Sequence, residues 1–284
     1  MTIHQALSLS RELLNRSSTP QLDSELLLCH VLGCEKTELI TQSERELTTE
    51  QLELFKKCVQ ERAAGKPVEH ITHRKEFFGR EFYIDERALI PRPESEEMVE
   101  VALEFLRARP ELKTTIDLGS GSGAIGMSIA LELPERQVIG LEISEKALEV
   151  AKINQQKHSC PNLTLIQSDL LDQLPPTSSS MPLCIIANLP YIGTQTHHFV
   201  SDEADRYEPH IALYGGQDGL ELYRRTWRQI KEKNLNLAAL FMEIGFSQAE
   251  QMEKEAKAAF PNHQFELKTD LAGLPRMAIL LQRL

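Results

Sequence analysis

Asp117-Leu118-Gly119-Ser120-Gly121-Ser122-Gly123 overlaps the end of the apolar run Thr115 to Leu118 and leads into a helical pattern from Ala124 to Leu133. A strand that runs into three alternate glycines and then a helix is a ligand-binding turn. The backbone there admits close approach, and the helix N-terminus offers N–H groups without intrahelical partners. Outward from this turn the chain alternates. Strands are predicted at Val138 to Leu141, Leu163 to Gln167 and Cys184 to Ala187, with a helix over Glu145 to His158. Beyond them come a strand at Leu237 to Met242, a helix from Gln248 to Phe260, and strands at His263 to Leu267 and Met277 to Leu281 across the turn-rich Asp270 to Pro275. Such alternation implies an α/β fold, a Rossmann-like and mostly parallel sheet with helices on both faces. The last two strands are close enough to pair as a hairpin and add an antiparallel edge.

Upstream of residue 93 the pattern differs. Residues 1–70 read as a small helical bundle: Ile3, Ala6, Leu7, Leu13 and Leu14 make one apolar stripe, and Leu22, Leu26, Leu27, Leu28, Val31 and Leu32 another. The second stripe begins behind Thr19 as an N-cap and Pro20 at the first helical position. A third helix opens at Thr48, with Gln51 as its capping-box partner, and stops at Gly65 before Pro67. Residues 71–92 carry Phe77, Phe78, Phe82, Tyr83 and Ile84 around Gly79, the pattern of a β-hairpin linker. Pro93 then starts a helix running to Pro110, so residues 93–284 form the expected ligand-binding domain.

A chain of 284 residues with 41% hydrophobic content has room for one substantial domain and a smaller one. The formal net charge of -11 disfavours a broad phosphate-tracking surface and makes nucleic acid an unlikely partner. Cys29, Cys34, Cys58, Cys160 and Cys184 form an odd set with no Cys-X-X-Cys pair, which fits reduced structural thiols and no metal site. No run approaches the roughly 20 apolar residues of a membrane span, so a cytoplasmic location is expected.

Two readings of the glycine turn stay open on spacing. Gly121, Gly123 and Gly126 satisfy Gly-X-Gly-X-X-Gly, and Glu142 ends the next strand, where a dinucleotide fold places its ribose-binding acid. A nicotinamide dehydrogenase is therefore one reading. The other begins at Asn188-Leu189-Pro190-Tyr191, directly after the Cys184 to Ala187 strand. Pro190 cannot donate to a ladder and biases Leu189 toward an extended conformation, so the strand ends there. An amide, fixed carbonyls and an aromatic face at that end suit a planar NH2 group.

The Asp117 to Gly123 run resembles the first motif of class I S-adenosylmethionine-dependent methyltransferases, and Ser168-Asp169-Leu170 falls where that class contacts adenine. The resemblance implies cofactor contacts from Asp117, Gly119, Ser120, Gly121, Ser122, Gly123, Asp169, Leu170 and Asn188. It also implies that Glu142 accepts hydrogen bonds from both ribose hydroxyls. The tetrad is similar to the Asn-Pro-Pro-Tyr motif of amino-methylating enzymes. Asp23 to Leu28, Gly65 to Ile71, Leu89 to Glu96, Arg206 to Pro209 and Gly215 to Leu220 resemble, along nearly the whole chain, the PrmC/HemK family of release factor glutamine N5-methyltransferases. Leu189 stands where that family usually has proline, and Ser95 where threonine is usual.

Membership would imply methylation of the glutamine in the Gly-Gly-Gln motif of bacterial class-1 peptide chain release factors, with the helical domain recognising the partner. The implied catalytic residues are Asn188, Leu189, Pro190 and Tyr191. The Asn188 side-chain oxygen and the Leu189 carbonyl accept the two amide N–H bonds, and Tyr191 packs on the glutamine. No residue stands out as a general base. His70 and His73 read as surface or packing residues, and His197-His198 as a loop over the substrate entrance. Glu94 and Glu96 read as first-turn acids favoured by the helix macrodipole, and Asp218 as a turn residue as readily as a functional one. Asp23 and Glu25 read as structural or partner-contacting. The competing functions are a DNA or RNA amino-methyltransferase, which the tetrad permits, and a non-enzymatic partner-binding protein.

Overall fold

A computed structural model describes residues 1–176, 181–195, 200–270 and 272–283. His197 and His198, expected to cover the substrate entrance, lie outside them. The N-terminal segment is helical: α1 (Ile3–Leu13), α2 (Pro20–Leu32), α3 (Lys36–Thr41), α4 (Thr49–Ala63) and α5 (Val68–Thr72). They close on Ile3, Leu27, Leu28, Phe55 and Val59. The Thr48/Gln51 capping box forms as expected. Thr19 does not cap α2; its hydroxyl donates to Asp23 Oδ1 at 2.9 Å. Leu13, assigned to the first stripe, is exposed. It lies six residues past Leu7, about 240° around the helix, and so leaves the buried face.

A two-stranded hairpin, β1 (Lys75–Phe77) and β2 (Arg80–Phe82), leads to α6 (Glu94–Arg107). The alternating region then follows as β3 (Thr114–Leu118), α7 (Ala124–Glu132), β4 (Gln137–Glu142), α8 (Glu145–His158), β5 (Leu163–Gln167) and β6 (Leu183–Ala187). After the tetrad come α9 (Asp202–Tyr207), α10 (His210–Leu213), α11 (Glu221–Glu232), β7 (Leu237–Glu243), α12 (Ala249–Ala259), β8 (His263–Thr269) and β9 (Pro275–Gln282). The short helices α3, α5, α9 and α10, together with α11, go beyond the elements read from sequence.

The seven strands run in the order β5-β4-β3-β6-β7-β9-β8, with β9 antiparallel to both neighbours. The hairpin forms and gives the sheet its antiparallel edge as expected, with β9 as the inner strand and β8 as the outer one. Met277 to Leu280 of β9 are buried and take the interior position, whereas β8 is largely half-exposed or exposed and takes the rim. A dinucleotide fold has the parallel order 3-2-1-4-5-6, so this inserted strand counts against the dehydrogenase reading. Two apolar cores cover the two faces. One joins α6, α7 and the hairpin around Met98, Leu106, Met127 and Phe82; the other joins α11 and α12 around Tyr223, Trp227 and Met252.

Side chains from both sides fasten the helical segment to the rest. Arg62 of α4 donates to Asp23 of α2 at 2.6 Å and to Glu203 of α9 at 2.5 Å, with the guanidinium largely buried. Tyr207 adds a hydrogen bond to the Ala64 carbonyl at 2.9 Å. Asp23 is thus structural, serving as the anchor for Arg62. His70 is packed inside with neither ring nitrogen partnered among the described residues, and burial pushes it toward the neutral form.

Candidate active site

Sheet register decides which residues share the carboxyl edge. Leu118 pairs with Leu141 on one side and Ala187 on the other, Glu142 with Gln167, and Ala187 with Met242. The residues just past or at those pairs, Gly119, Glu142, Ser168, Asn188 and Glu243, therefore stand along one rim. Two connections leave β3 and β6 in opposite directions there, which is the switch point where open α/β sheets bind ligands.

A cavity of about 300 Å³ opens at this rim. Of the residues expected to contact the cofactor, Gly119, Ser120, Gly121, Ser122, Glu142, Asp169, Leu170 and Asn188 line it, together with Leu189 and Pro190 of the tetrad. Asp117 and Gly123, named in the same set, do not. Asp117 turns inward, where its Oδ2 accepts the Gly126 N–H at 2.9 Å and its Oδ1 has no partner among the described residues. It holds the first turn of α7 under the glycine loop and so shapes the cradle from below.

Burial pushes the Asp117 carboxyl up to about 7, with nearby Glu142 adding to the rise and the Gly126 N–H opposing it. The ordinary value is 3.8, so the folded chain holds a proton through a range where the unfolded chain has released it. The stability contribution is present below about pH 4 and is lost as pH rises toward 7, on the order of 4 kcal/mol in total. Asp117→Asn is expected to remove that slope. Urea unfolding of both proteins at pH 5 and pH 8 checks it, and equal pH dependence would place the shift elsewhere.

Glu142 sits at the cavity with each carboxylate oxygen engaged on the loop side: Oε2 accepts the Gly121 N–H at 2.8 Å and Oε1 the Ser144 N–H at 2.9 Å. Each oxygen keeps further acceptor capacity toward the cavity. Burial raises its pKa, and those backbone donors pull it back. Ser120 presents a buried hydroxyl with no partner among the described residues, on the same wall. An acceptor pair beside an unpartnered hydroxyl and a glycine backbone fits a ligand carrying ribose hydroxyls and a polar tail. Asp169 also accepts from Arg225 of α11 at 2.7 Å, a cavity residue that the sequence did not disclose.

The tetrad forms the wall between this cavity and a second one of about 310 Å³. Asn188, Leu189 and Pro190 line both; Tyr191 faces only the second, with Arg92, Glu208 and Glu243. Leu189 is buried, and its Cδ2 would lie 2.9 Å from a Cβ placed on Gly119, so the glycine at that point lets the leucine seat against the loop. Glu208 accepts the Ile90 N–H at 3.0 Å and Arg92 at 2.5 Å, tying the segment before α6 to the second cavity.

Behind the tetrad lies a network that the sequence did not disclose. Asn188 Nδ2 donates to Ser95 Oγ at 2.9 Å and to Glu243 Oε2 at 3.0 Å. Ser95 donates to the same Oε2 at 2.5 Å, and the Tyr191 hydroxyl to Oε1 at 3.2 Å. Tyr223 donates to the Glu243 and Ala187 carbonyls, and Gln248 to the Tyr191 carbonyl at 2.7 Å. Two signals in the sequence could have found it: an acid at the end of the apolar run Leu237 to Met242, and a hydroxyl at position 95 within a quoted motif. Glu94 and Glu96, flanking Ser95, line neither cavity. Asp218 is a turn residue whose side chain accepts the Leu220 N–H and holds Arg224.

Comparison with known proteins agrees with this architecture. Residues 5–72 match the PrmC N-terminal domain family and residues 111–198 a methyltransferase domain family. A release factor glutamine methyltransferase of Bacillus cereus is 32% identical over 98% of both chains. One from Koribacter versatilis is 34% identical, again over 98% of each chain. Among solved structures, the N-terminal domain of human METTL16 in complex with SAH superposes with a TM-score of 0.52 at 16% identity, covering 79% of this chain and 84% of that one. That likeness is one of fold. With near-complete coverage at such identity, the chain belongs to the release factor glutamine methyltransferase family.

Proposed function

We propose that this protein transfers a methyl group from S-adenosylmethionine to the side-chain amide nitrogen of the glutamine in the Gly-Gly-Gln motif of class-1 peptide chain release factors. The observation that carries this reading is the tetrad's position as a shared wall. Asn188, Leu189 and Pro190 border a cavity built from the glycine loop and Glu142 on one side, and one bordered by Tyr191, Arg92 and Glu208 on the other. In this reading the donor occupies the first cavity and the glutamine side chain enters the second. The helical segment, fastened to α9 beside the second cavity, is the surface that receives the rest of the release factor.

S-adenosylmethionine, when bound, supplies an electrophilic sulfonium methyl group. An amide nitrogen is a weak nucleophile because its lone pair is delocalised, so the chain's task is to orient it and stabilise charge developing on it. Asn188 has both Nδ2 hydrogens engaged by Ser95 and Glu243, which assigns its Oδ1 as the accepting end. That oxygen and the Leu189 carbonyl are the two acceptors for the glutamine N–H bonds. Preorganised acceptors aimed at a nitrogen gaining positive charge lower the barrier electrostatically, and in-line placement removes part of its entropic component. Tyr191 closes the second cavity against the glutamine's aliphatic stem.

Labelled S-adenosylmethionine offered with a release factor, with the same factor carrying alanine for the motif glutamine, and with duplex DNA and RNA tests the reading. Methylation of only the intact release factor is expected, and label on nucleic acid would overturn it. Glu142→Ala is expected to weaken S-adenosylmethionine binding about 10- to 100-fold, the range for losing hydrogen bonds to a charged acceptor. Calorimetric titration measures this directly, and unchanged affinity would remove Glu142 from the cofactor site.

A further inference from the structure

Asn188 cannot hold its own orientation: a carboxamide rotated by half a turn has nearly the same shape, and only its partners distinguish the two ends. Those partners are Glu243 and Ser95. Glu243 is 4% exposed and lies at the end of β7, with no cationic side chain hydrogen-bonded to its carboxylate among the described residues. Instead its carboxylate collects three neutral donors: the Asn188 amide, the Ser95 hydroxyl and the Tyr191 hydroxyl. A buried carboxylate without an ion-pair partner is disfavoured by burial, so a purely structural role would be better served by an uncharged residue.

We infer that Glu243, supported by Ser95, is the positioning residue that locks the Asn188 amide with its oxygen toward the acceptor nitrogen and, through the N–H it receives, makes that oxygen a stronger acceptor. The inference rests on the methyl-transfer reading above. A hydrogen bond from an amide N–H to a carboxylate polarises the amide, moving electron density toward its oxygen. The negative charge of Glu243 thus reaches the substrate nitrogen through Asn188 without touching it. Ser95 serves the same geometry from α6: it accepts one Asn188 hydrogen and passes its own to Glu243, so the rotated amide would set two donors or two acceptors against each other.

Glu243→Gln keeps the shape and removes the charge. It is expected to lower kcat about 10- to 100-fold, leaving KM for the release factor and the S-adenosylmethionine Kd within threefold. Ser95→Ala should lower kcat less, about 3- to 10-fold, and Ser95→Thr, which retains the hydroxyl, should restore it. The wild-type kcat should rise with pH as Glu243 ionises, and the Glu243→Gln profile should lose that limb. The groups facing Glu243 are Glu94 and Ser95 from α6, Tyr191 and Asn188 from the tetrad, Tyr223 from α11 and Arg276 from β9.

Selective nitrogen-15 labelling of asparagine provides a readout that needs no acceptor protein. The Asn188 side-chain amide hydrogens should be protected from solvent exchange in the wild type and exchange at least tenfold faster in Ser95→Ala. Turnover of Glu243→Gln within threefold of wild type, or unprotected Asn188 hydrogens in the wild type, overturns the inference. Failure of the release factor to be methylated by the wild type, with protected hydrogens, would count against the proposed substrate and leave the Asn188 lock standing.

Discussion

Asn188→Ala is expected to lower methyl transfer at least about 10²- to 10³-fold, the effect of removing one preorganised group aimed at developing charge. Affinity for S-adenosylmethionine should stay within a few fold, because Asn188 is one residue at the border of a cavity whose polar wall is built mainly by the glycine loop, Ser120 and Glu142. The substitution also leaves Glu243 with one donor fewer in a buried site, so a modest loss of stability accompanies the kinetic effect. Single-turnover methylation beside calorimetric titration of the cofactor separates the two. Near-normal turnover would show that the glutamine is held elsewhere, and a parallel collapse of cofactor affinity would assign Asn188 to binding rather than chemistry.

The second large effect concerns a residue that never faces a ligand. Gly219 has φ +80°, and a Cβ placed there would overlap the Tyr191 carbonyl and Gln248 Nε2, the pair whose hydrogen bond pins the end of the tetrad. Gly215, four residues earlier, presses on the Pro190 carbonyl in the same way. The loop after α10 thus packs backbone against backbone over Pro190 and Tyr191, which explains the glycines of the Gly215 to Leu220 motif. Gly219→Ala combines left-handed strain with a clash against main chain that cannot swing aside. A destabilisation of about 3 kcal/mol or more, roughly 5 to 10 °C in Tm, is expected together with loss of turnover. Gly273→Ala is the matched control, since Gly273 has φ +78° with nothing within 4 Å of the added Cβ. It should show the strain alone, about 1 to 2 kcal/mol, and leave turnover unchanged. Equal Tm losses in the two variants would mean that the loop can move away from the tetrad.

The glycine loop, the strand alternation, the Thr48/Gln51 cap and the two-stranded hairpin were legible because each depends on neighbours within a few positions. Thr19 was misread because its hydroxyl had two competing uses, and the Asp23 side chain one turn on outcompeted the helix N-terminus. The order of β8 and β9 was not legible from strand spacing, since spacing says that two strands pair but not which one enters the sheet. The greater burial of Met277 to Leu280 settled that. Asp117 belongs to a loop motif that lines the first cavity, yet its own carboxylate faces the α7 backbone. A motif identifies the turn, while strand pleat decides the direction in which each side chain leaves it.

What the sequence by itself determined is the family, through motif resemblance along nearly the whole chain, and the parallel α/β core with Asn188-Leu189-Pro190-Tyr191 directly after one of its strands, because hydrophobic period and glycine spacing act over short distances along the chain. Only the tertiary structure decided that the tetrad is a wall between two cavities, and that Ser95 and Glu243 orient Asn188. Those two residues lie 93 and 55 positions away from Asn188. Their meeting depends on the packing of α6 against β7 and on the register of β6 against β7, where a one-residue slip of a strand would turn its side chains to the opposite face.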